Sequence, residues 1–181
     1  MNTRLLLLSL ALVACGDPDT DSDDPAATVV GGGFAQLTDF GVLGVLEYDD
    51  GTAIGYLCGQ GDRIEDTSWL SGQVGQLSGA DWDVAIADGS VTVTGTADSF
   101  TADFAPIGQG GLFEAAPQGC RSGLIVSPDG SGFSAAGTFC APDGAFAQVE
   151  PVGTIVAPGD FISVQVQLGV ETLDFDMTRI R

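Results

Sequence analysis

The residues of this chain that could do chemistry are mainly carboxylates, because histidine and lysine do not occur in it. Their absence excludes Ser-His-Asp and Cys-His catalytic sets and most familiar zinc sites. A glycoside hydrolase needs only two carboxylates at a suitable separation, and the candidate acids are Glu47, Glu114, Glu150 and Glu171. With 25 acidic residues some pair will always lie at such a separation, so solvated surface is the simpler explanation and we predict no catalytic residue.

A candidate recognition loop lies between residues 59 and 68. Its charged residues and the tryptophan that follows it are Asp62, Arg63, Glu65, Asp66 and Trp69. An exposed Trp69 could stack on a sugar or a peptide. A tryptophan near the start of a strand also suits the core, so the sequence leaves both roles open.

The cysteines suggest one disulfide bond. Cys120 and Cys140 lie symmetrically about Gly130, the tip of a predicted hairpin, so antiparallel pairing would place them opposite each other. We predict a Cys120–Cys140 disulfide, with Cys58 buried as a small apolar residue. The alternative is a bond from Cys58 to Cys120 or to Cys140, and peptide mapping without reduction distinguishes the two.

The first residues have the pattern of an export signal. Arg4 precedes an apolar run, Leu5 to Val13, that only Ser9 interrupts. A helix needs about twenty apolar residues to cross a bilayer, so this run is too short for a membrane span. A basic start, a short apolar core and small residues are typical of a signal peptide, which predicts that the chain is exported.

The run ends in Leu12-Val13-Ala14-Cys15, which resembles the lipobox of bacterial lipoproteins. The resemblance implies cleavage before Cys15 and attachment of the chain to the membrane through acyl chains on that cysteine. Two or more chains make such an anchor stable. Gly16 replaces the aspartate that retains enteric lipoproteins at the inner membrane, which implies the outer membrane, on its periplasmic face or at the cell surface. The alternative is an ordinary secretory signal with an incidental cysteine.

The charge of the chain limits its partners. The net charge is −20, and nucleic-acid binding requires Lys and Arg to neutralise phosphates. The acidic surface also repels anionic headgroups within a Debye length of about 8 Å. We predict no nucleic-acid partner and no cofactor. The charge would favour cations or a basic partner, and it would also keep an exported protein soluble and monomeric.

Residues 15–27 have the composition of an acidic tether. They include five aspartates and two prolines, Asp17, Pro18, Asp19, Asp21, Asp23, Asp24 and Pro25. Such a segment is predicted to be disordered and to extend roughly 30 Å from the membrane. The alternating aspartates suggest a calcium loop, but an EF-hand needs Gly at its sixth position and Glu at its twelfth. This chain has Asp24 and Val30 there, so we predict no metal site.

Residues 28–181 are predicted to form a single β domain. Apolar runs are joined by turn residues that tolerate positive φ, which predicts three hairpins. Their turns are Asp49-Asp50-Gly51, Asp88-Gly89 and Pro128-Asp129-Gly130. Apolar and polar residues alternate with a period of two from Ile162 to Leu168 and again from Leu173 to Met177, which indicates half-buried strands.

The sequence therefore predicts an all-β fold of about ten short antiparallel strands in a sandwich or a partly closed barrel. In their order, five segments of the body resemble small exported β modules of bacterial envelope proteins, which have no assigned activity. The segments are Tyr56-Leu57-Cys58-Gly59, Trp69-Leu70-Ser71-Gly72, Ser99-Phe100-Thr101-Ala102, Gly111-Leu112-Phe113 and Gly123-Leu124-Ile125-Val126.

Two functional hypotheses follow from the sequence. The preferred one is a lipid-anchored, non-catalytic envelope module that binds a protein or glycan partner or serves a structural role at the surface. The alternative is a carboxylate-dependent glycoside hydrolase that acts on polysaccharide.

Overall fold

The computed structural model describes residues 27–116 and 120–181. The predicted signal peptide, the lipobox and the aspartates of the tether lie outside the described residues. Within the part that is described, no helix is long and apolar enough to cross a membrane. The body contains fifteen strands, all paired antiparallel, and one 3-10 helix at Gly61–Asp66. The prediction of an all-β fold is therefore confirmed.

The first nine strands form one sheet, in the order β8-β7-β6-β5-β4-β3-β2-β1-β9. Their bounds are β1 Val29–Leu37, β2 Gly41–Tyr48, β3 Thr52–Gly59, β4 Ser68–Gln73, β5 Gln76–Ser78, β6 Asp83–Ala87, β7 Ser90–Thr94, β8 Ser99–Asp103 and β9 Ala105–Pro106. Phe104 alone separates β8, which pairs with β7, from β9, which pairs with β1. The sheet therefore curls until its two ends almost meet, and its inner face packs around Leu43, Leu57 and Trp82.

The remaining six strands form a closed barrel. Their bounds are β10 Gly111–Glu114, β11 Gly123–Pro128, β12 Phe133–Cys140, β13 Phe146–Pro151, β14 Phe161–Leu168 and β15 Glu171–Arg179. Pairing of Phe113 with Arg179 joins the first strand to the last and closes the barrel. Phe113, Leu124 and Met177 fill the interior, and none of the three is measurably exposed.

The two sheets pack against each other through a third apolar cluster. In β2, Leu43 and Val45 face the interior of the first sheet, whereas Val42 and Leu46 face the barrel. This explains why β2 is almost continuously apolar, since a strand buried on both faces needs no polar side. In β11, Ile125 faces the first sheet while Leu124 and Val126 fill the barrel.

Glycine allows the close approach of the sheets at two positions. A Cβ at Gly44 would lie 2.7 Å from the Leu112 side chain, and a Cβ at Gly123 would lie 2.6 Å from the Tyr56 ring. Any larger residue at either position would push the sheets apart. Small residues therefore set the distance between them.

The three predicted hairpins are confirmed as β2–β3, β6–β7 and β11–β12, and the two strands predicted near the end of the chain pair as a further hairpin, β14–β15. The sequence indicated about ten strands and the structure has fifteen, because short pieces such as β5 and β9 are too brief to show a period. Strand β1 was not predicted, because its Gly31-Gly32-Gly33 run is atypical of a strand. Because β1 packs closely against its neighbours, a Cβ on Gly33 would lie 2.7 Å from the Ala105 carbonyl oxygen.

Candidate functional site

The candidate recognition loop contains an arginine that packs against aromatic residues of the core of the first sheet. Arg63, in the 3-10 helix Gly61–Asp66, places its guanidinium over three aromatic rings, with centroid distances of 5.2 Å to Phe40, 5.9 Å to Trp82 and 5.7 Å to Phe100. Such cation-π contacts strengthen where the cation is partly desolvated. Arg63 is therefore engaged in packing against the core of the first sheet.

Two carboxylates complete the surroundings of Arg63. Its Nη2 donates a hydrogen bond to Asp98 at 2.8 Å. Its Nε lies 2.7 Å from Asp66, yet the N–H does not point at the oxygen, so that contact is an ion pair without a well-aligned hydrogen bond. Asp62 and Glu65, the other charged residues of the loop, are exposed to solvent. They are the only charged side chains of the described loop left for an outside partner.

Trp69 lies between two other side chains. Its ring centroid is 4.7 Å from that of Tyr56, and the guanidinium of Arg121 lies 3.8 Å from the ring. The indole N–H donates a hydrogen bond to the Arg121 carbonyl at 3.2 Å. Trp69 is thus sandwiched where the two sheets meet, which agrees with its alternative role in the core. Neither ring face is an open platform for a sugar.

The four candidate glutamates lie on different strands. Glu114 forms an ion pair with Arg121 at 2.6 Å. Glu150 is exposed on the outer face of the barrel, in a polar furrow with Gln165 and Thr172. Glu47 is on β2, and Glu171 opens β15 at the tip of a hairpin. Among the described residues, no three His, Cys, Asp or Glu side chains come together as a metal site.

The two carboxylates of the acidic β2–β3 turn accept hydrogen bonds from nearby groups of the protein. Asp50 accepts bonds from the backbone N–H of Thr52 at 2.8 Å and from its hydroxyl at 2.6 Å. These bonds lower the pKa of Asp50, because they favour the ionised carboxylate. Asp49 accepts a bond from the backbone N–H of Thr28 at 3.0 Å. Both carboxylates therefore stabilise local structure.

The cysteines are arranged as predicted. Cys120 and Cys140 form a disulfide with 5.4 Å between their Cα atoms. Cys58 is free and buried between the two sheets. Burial raises the pKa of its thiol to about 12, with a small opposing effect from Gln148. A thiol in this state is a poor nucleophile, because the thiolate is the reactive form.

One concave site of ligand size was not predicted from the sequence. A half-open cavity of about 800 Å³ lies at the junction of the two sheets, and we call it the junction cavity. Its walls come from β1, β2, β9, the loop after β9 and the end of β15. Its larger lining side chains include Val30, Leu46, Ile107, Arg179, Ile180 and Arg181. This volume lies within the range of about 300 to 1,000 Å³ that is usual for small-molecule sites.

The wall formed by the end of β15 is held by Arg179. Its guanidinium donates to the carbonyls of Gly159 at 3.0 Å, Gly110 at 2.8 Å, Gln109 at 3.1 Å and Pro158 at 3.2 Å. One side of the group lies over the Phe113 ring, with 5.0 Å to the centroid. Partial burial lowers the pKa of Arg179, although a guanidinium stays charged at any ordinary pH.

Local sequence patterns carry little sign of this cavity, because its residues come from four separate parts of the chain. The one sequence signal is the Arg179-x-Arg181 pair, which is conspicuous in a chain with only five arginines.

The fold and the site together define an all-β protein of two packed sheets with a ligand-sized cavity where they meet. Comparison with family models, with curated proteins and with solved structures gave no match.

Proposed function

We propose that this chain is a lipid-anchored, non-catalytic module of the bacterial cell envelope that holds a ligand or partner without transforming it. The proposed anchor is Cys15, through the lipobox resemblance of Leu12-Val13-Ala14-Cys15. The disulfide between Cys120 and Cys140 supports export, because such bonds persist in oxidising compartments.

The junction cavity is the observation that carries the binding role. Its walls combine strands of both sheets with the loop after β9 and the residues after β15, and Leu46 and Ile107 in its lining are 3% and 5% exposed. Sites built on packed strands are held more rigidly than sites on loops. Among the described residues, the lining side chains include no carboxylate, thiol or histidine. Such a lining supplies shape and charge for binding, and it lacks the groups that general acid-base catalysis uses.

The anchoring part of the proposal is tested by expressing the full chain and its Cys15→Ser variant in a Gram-negative host with an alkyne-tagged fatty acid. We expect the unaltered chain to incorporate the tag and to sediment with membranes, and the variant to do neither. Gly16→Ser is the matched control, since it changes the neighbouring residue and keeps the cysteine. A Cys15→Ser variant that stays membrane-bound would reject the lipid anchor.

A further inference from the structure

The junction cavity differs in charge from the rest of the chain. The chain has 25 acidic and five basic residues. Among the described residues that line the cavity, however, the only charged side chains are Arg179 and Arg181. The described lining therefore carries two positive side chains and no negative one, and two carboxylates lie beside it: Asp160, which pairs with Arg181, and Glu47, whose Oε2 would lie 3.1 Å from a Cβ on Gly31. The two arginines would attract an anion that the remaining surface repels.

The lining away from the arginines is apolar. Leu46 and Ile107 belong to the cluster buried between the sheets, and the half-buried Ile180 packs against it. Val30, also in the lining, is 65% exposed. Burial of apolar ligand surface here would contribute roughly 25 cal/mol per Å². The cavity therefore offers one apolar region and one cationic region to the same ligand.

The two arginines differ in how their charge is balanced. Arg179 is held by four neutral carbonyls, and none of the described carboxylates forms an ion pair with it, so its positive charge has no direct counterion. Arg181 pairs with Asp160 at 2.6 Å, with side chains 73% and 58% exposed. Exposed ion pairs are worth little, so an incoming anion can compete with Asp160 for Arg181.

We propose that the junction cavity binds an amphipathic acid, a molecule whose anionic head lies against Arg181 and Arg179 and whose apolar body lies against Leu46, Ile107 and Ile180. This inference rests on the proposed binding function and names its ligand class. Arg181 can offer its guanidinium fork to either a carboxylate or a phosphate head, whereas Arg179, with four of its five N–H donors bonded to carbonyls, contributes mainly its charge. The shared chemistry is an anionic head on a short hydrocarbon chain.

The test is isothermal titration calorimetry on the full chain carrying Cys15→Ser, with decanoate, decyl phosphate, decanol and decyltrimethylammonium as probes. We expect at least one of the two anions to bind about tenfold more tightly than the cation, and added salt to weaken that binding. Whichever anion binds better identifies a carboxylate or a phosphate head. Arg181→Gln should weaken binding of the anion and leave decanol unchanged.

Charge placed at Val30 gives a matched series that should not disturb folding, since that side chain is largely exposed. Val30→Lys should tighten binding of the anion about threefold and Val30→Asp should weaken it about threefold. Val170→Lys and Val170→Asp are the controls. Val170 is 99% exposed at the tip of the β14–β15 hairpin, at the opposite end of β15 from Arg179, and neither control should change the affinity.

Equal binding of decanol, the cation and the anions would overturn the proposal that the ligand is an acid. It would still show that the cavity binds apolar molecules, so the proposed function would survive. Absence of binding by all four probes would also overturn the inference. The lipid anchor is judged separately by the Cys15→Ser fractionation, so the two proposals fail in distinguishable ways.

Discussion

The hydroxyl of Tyr56 on β3 and the hydroxyl of Thr138 on β12 lie 2.7 Å apart and share a fully buried hydrogen bond. The bond joins the nine-stranded sheet to the barrel across the apolar cluster that separates their interiors. Burial raises the pKa of Tyr56, because its ionised form would lose hydration there. A polar contact between two otherwise apolar surfaces favours one docking position, since any shift would leave both hydroxyls unpaired.

Removal of one hydroxyl should be costly. We expect Tyr56→Phe to lower the free energy of unfolding by about 1 to 3 kcal/mol, because the buried Thr138 hydroxyl is left without its partner. The double variant Tyr56→Phe, Thr138→Val should lose less than the sum of the two single variants. Urea unfolding measures each value. Thr92→Val, in an exposed Thr92–Thr101 pair at 3.4 Å, is the control and should change stability by less than about 0.5 kcal/mol.

The disulfide should stabilise the barrel. Cys120 and Cys140 are separated by 20 residues, and closing a loop of this size stabilises the fold by about 3 kcal/mol in the chain-entropy model. We expect the Cys120→Ser, Cys140→Ser double variant to have a free energy of unfolding lower by about 3 kcal/mol, and therefore to unfold at a lower urea concentration. Reduction of the unaltered chain should have the same effect, and reduction of the variant none. A bridge containing Cys58 in peptide mapping without reduction would contradict the assignment.

Alkaline pH should destabilise the fold through Cys58. The thiol pKa rises from 9.0 to about 12 on folding, so the folded state holds its proton more tightly than the unfolded state. The resulting stabilisation is complete below pH 9 and is lost as the pH rises from 9 towards 12. One proton gives a slope of up to about 1.4 kcal/mol per pH unit. Cys58→Ala should reduce this slope, measured as the urea midpoint against pH, and an unchanged slope would contradict the assignment.

Replacement of Arg63 separates a structural role from a recognition role. We expect Arg63→Met to lower the free energy of unfolding by about 1 to 2 kcal/mol, because it removes the contacts with three aromatic rings and leaves Asp66 and Asp98 without their cation. Asp62→Asn, an exposed change in the same loop, should be neutral within about 0.5 kcal/mol. Thermal unfolding measures both. Unchanged stability of Arg63→Met would show that the arginine is free for a partner.

Prediction of the fold from sequence succeeded where the determinants are local. Asp88-Gly89 forms the β6–β7 turn with positive φ at both residues, as its composition predicts. The Cys120–Cys140 pair followed from the symmetry of one hairpin. In each case the partners are close in the chain, so turn geometry alone brings them together.

The candidate site depended on contacts between distant residues. From the sequence, Trp69 could be a sugar platform or a core residue, with the core favoured, and only the fold shows that Arg121, just before β11, lies over its ring. Arg63 has the sequence context of a surface charge, and only the fold brings it against Phe40, in the turn between β1 and β2, and Phe100, on β8.

The sequence by itself determined an acidic chain with an all-β body, because charge, period-two alternation and turn residues are properties of short segments. Only the tertiary structure decided that this body is two packed sheets with a cavity at their junction that two arginines line. An apolar strand face has the same alternation whichever sheet covers it. Packing therefore had to place Leu46, Ile107 and Arg179 around one space.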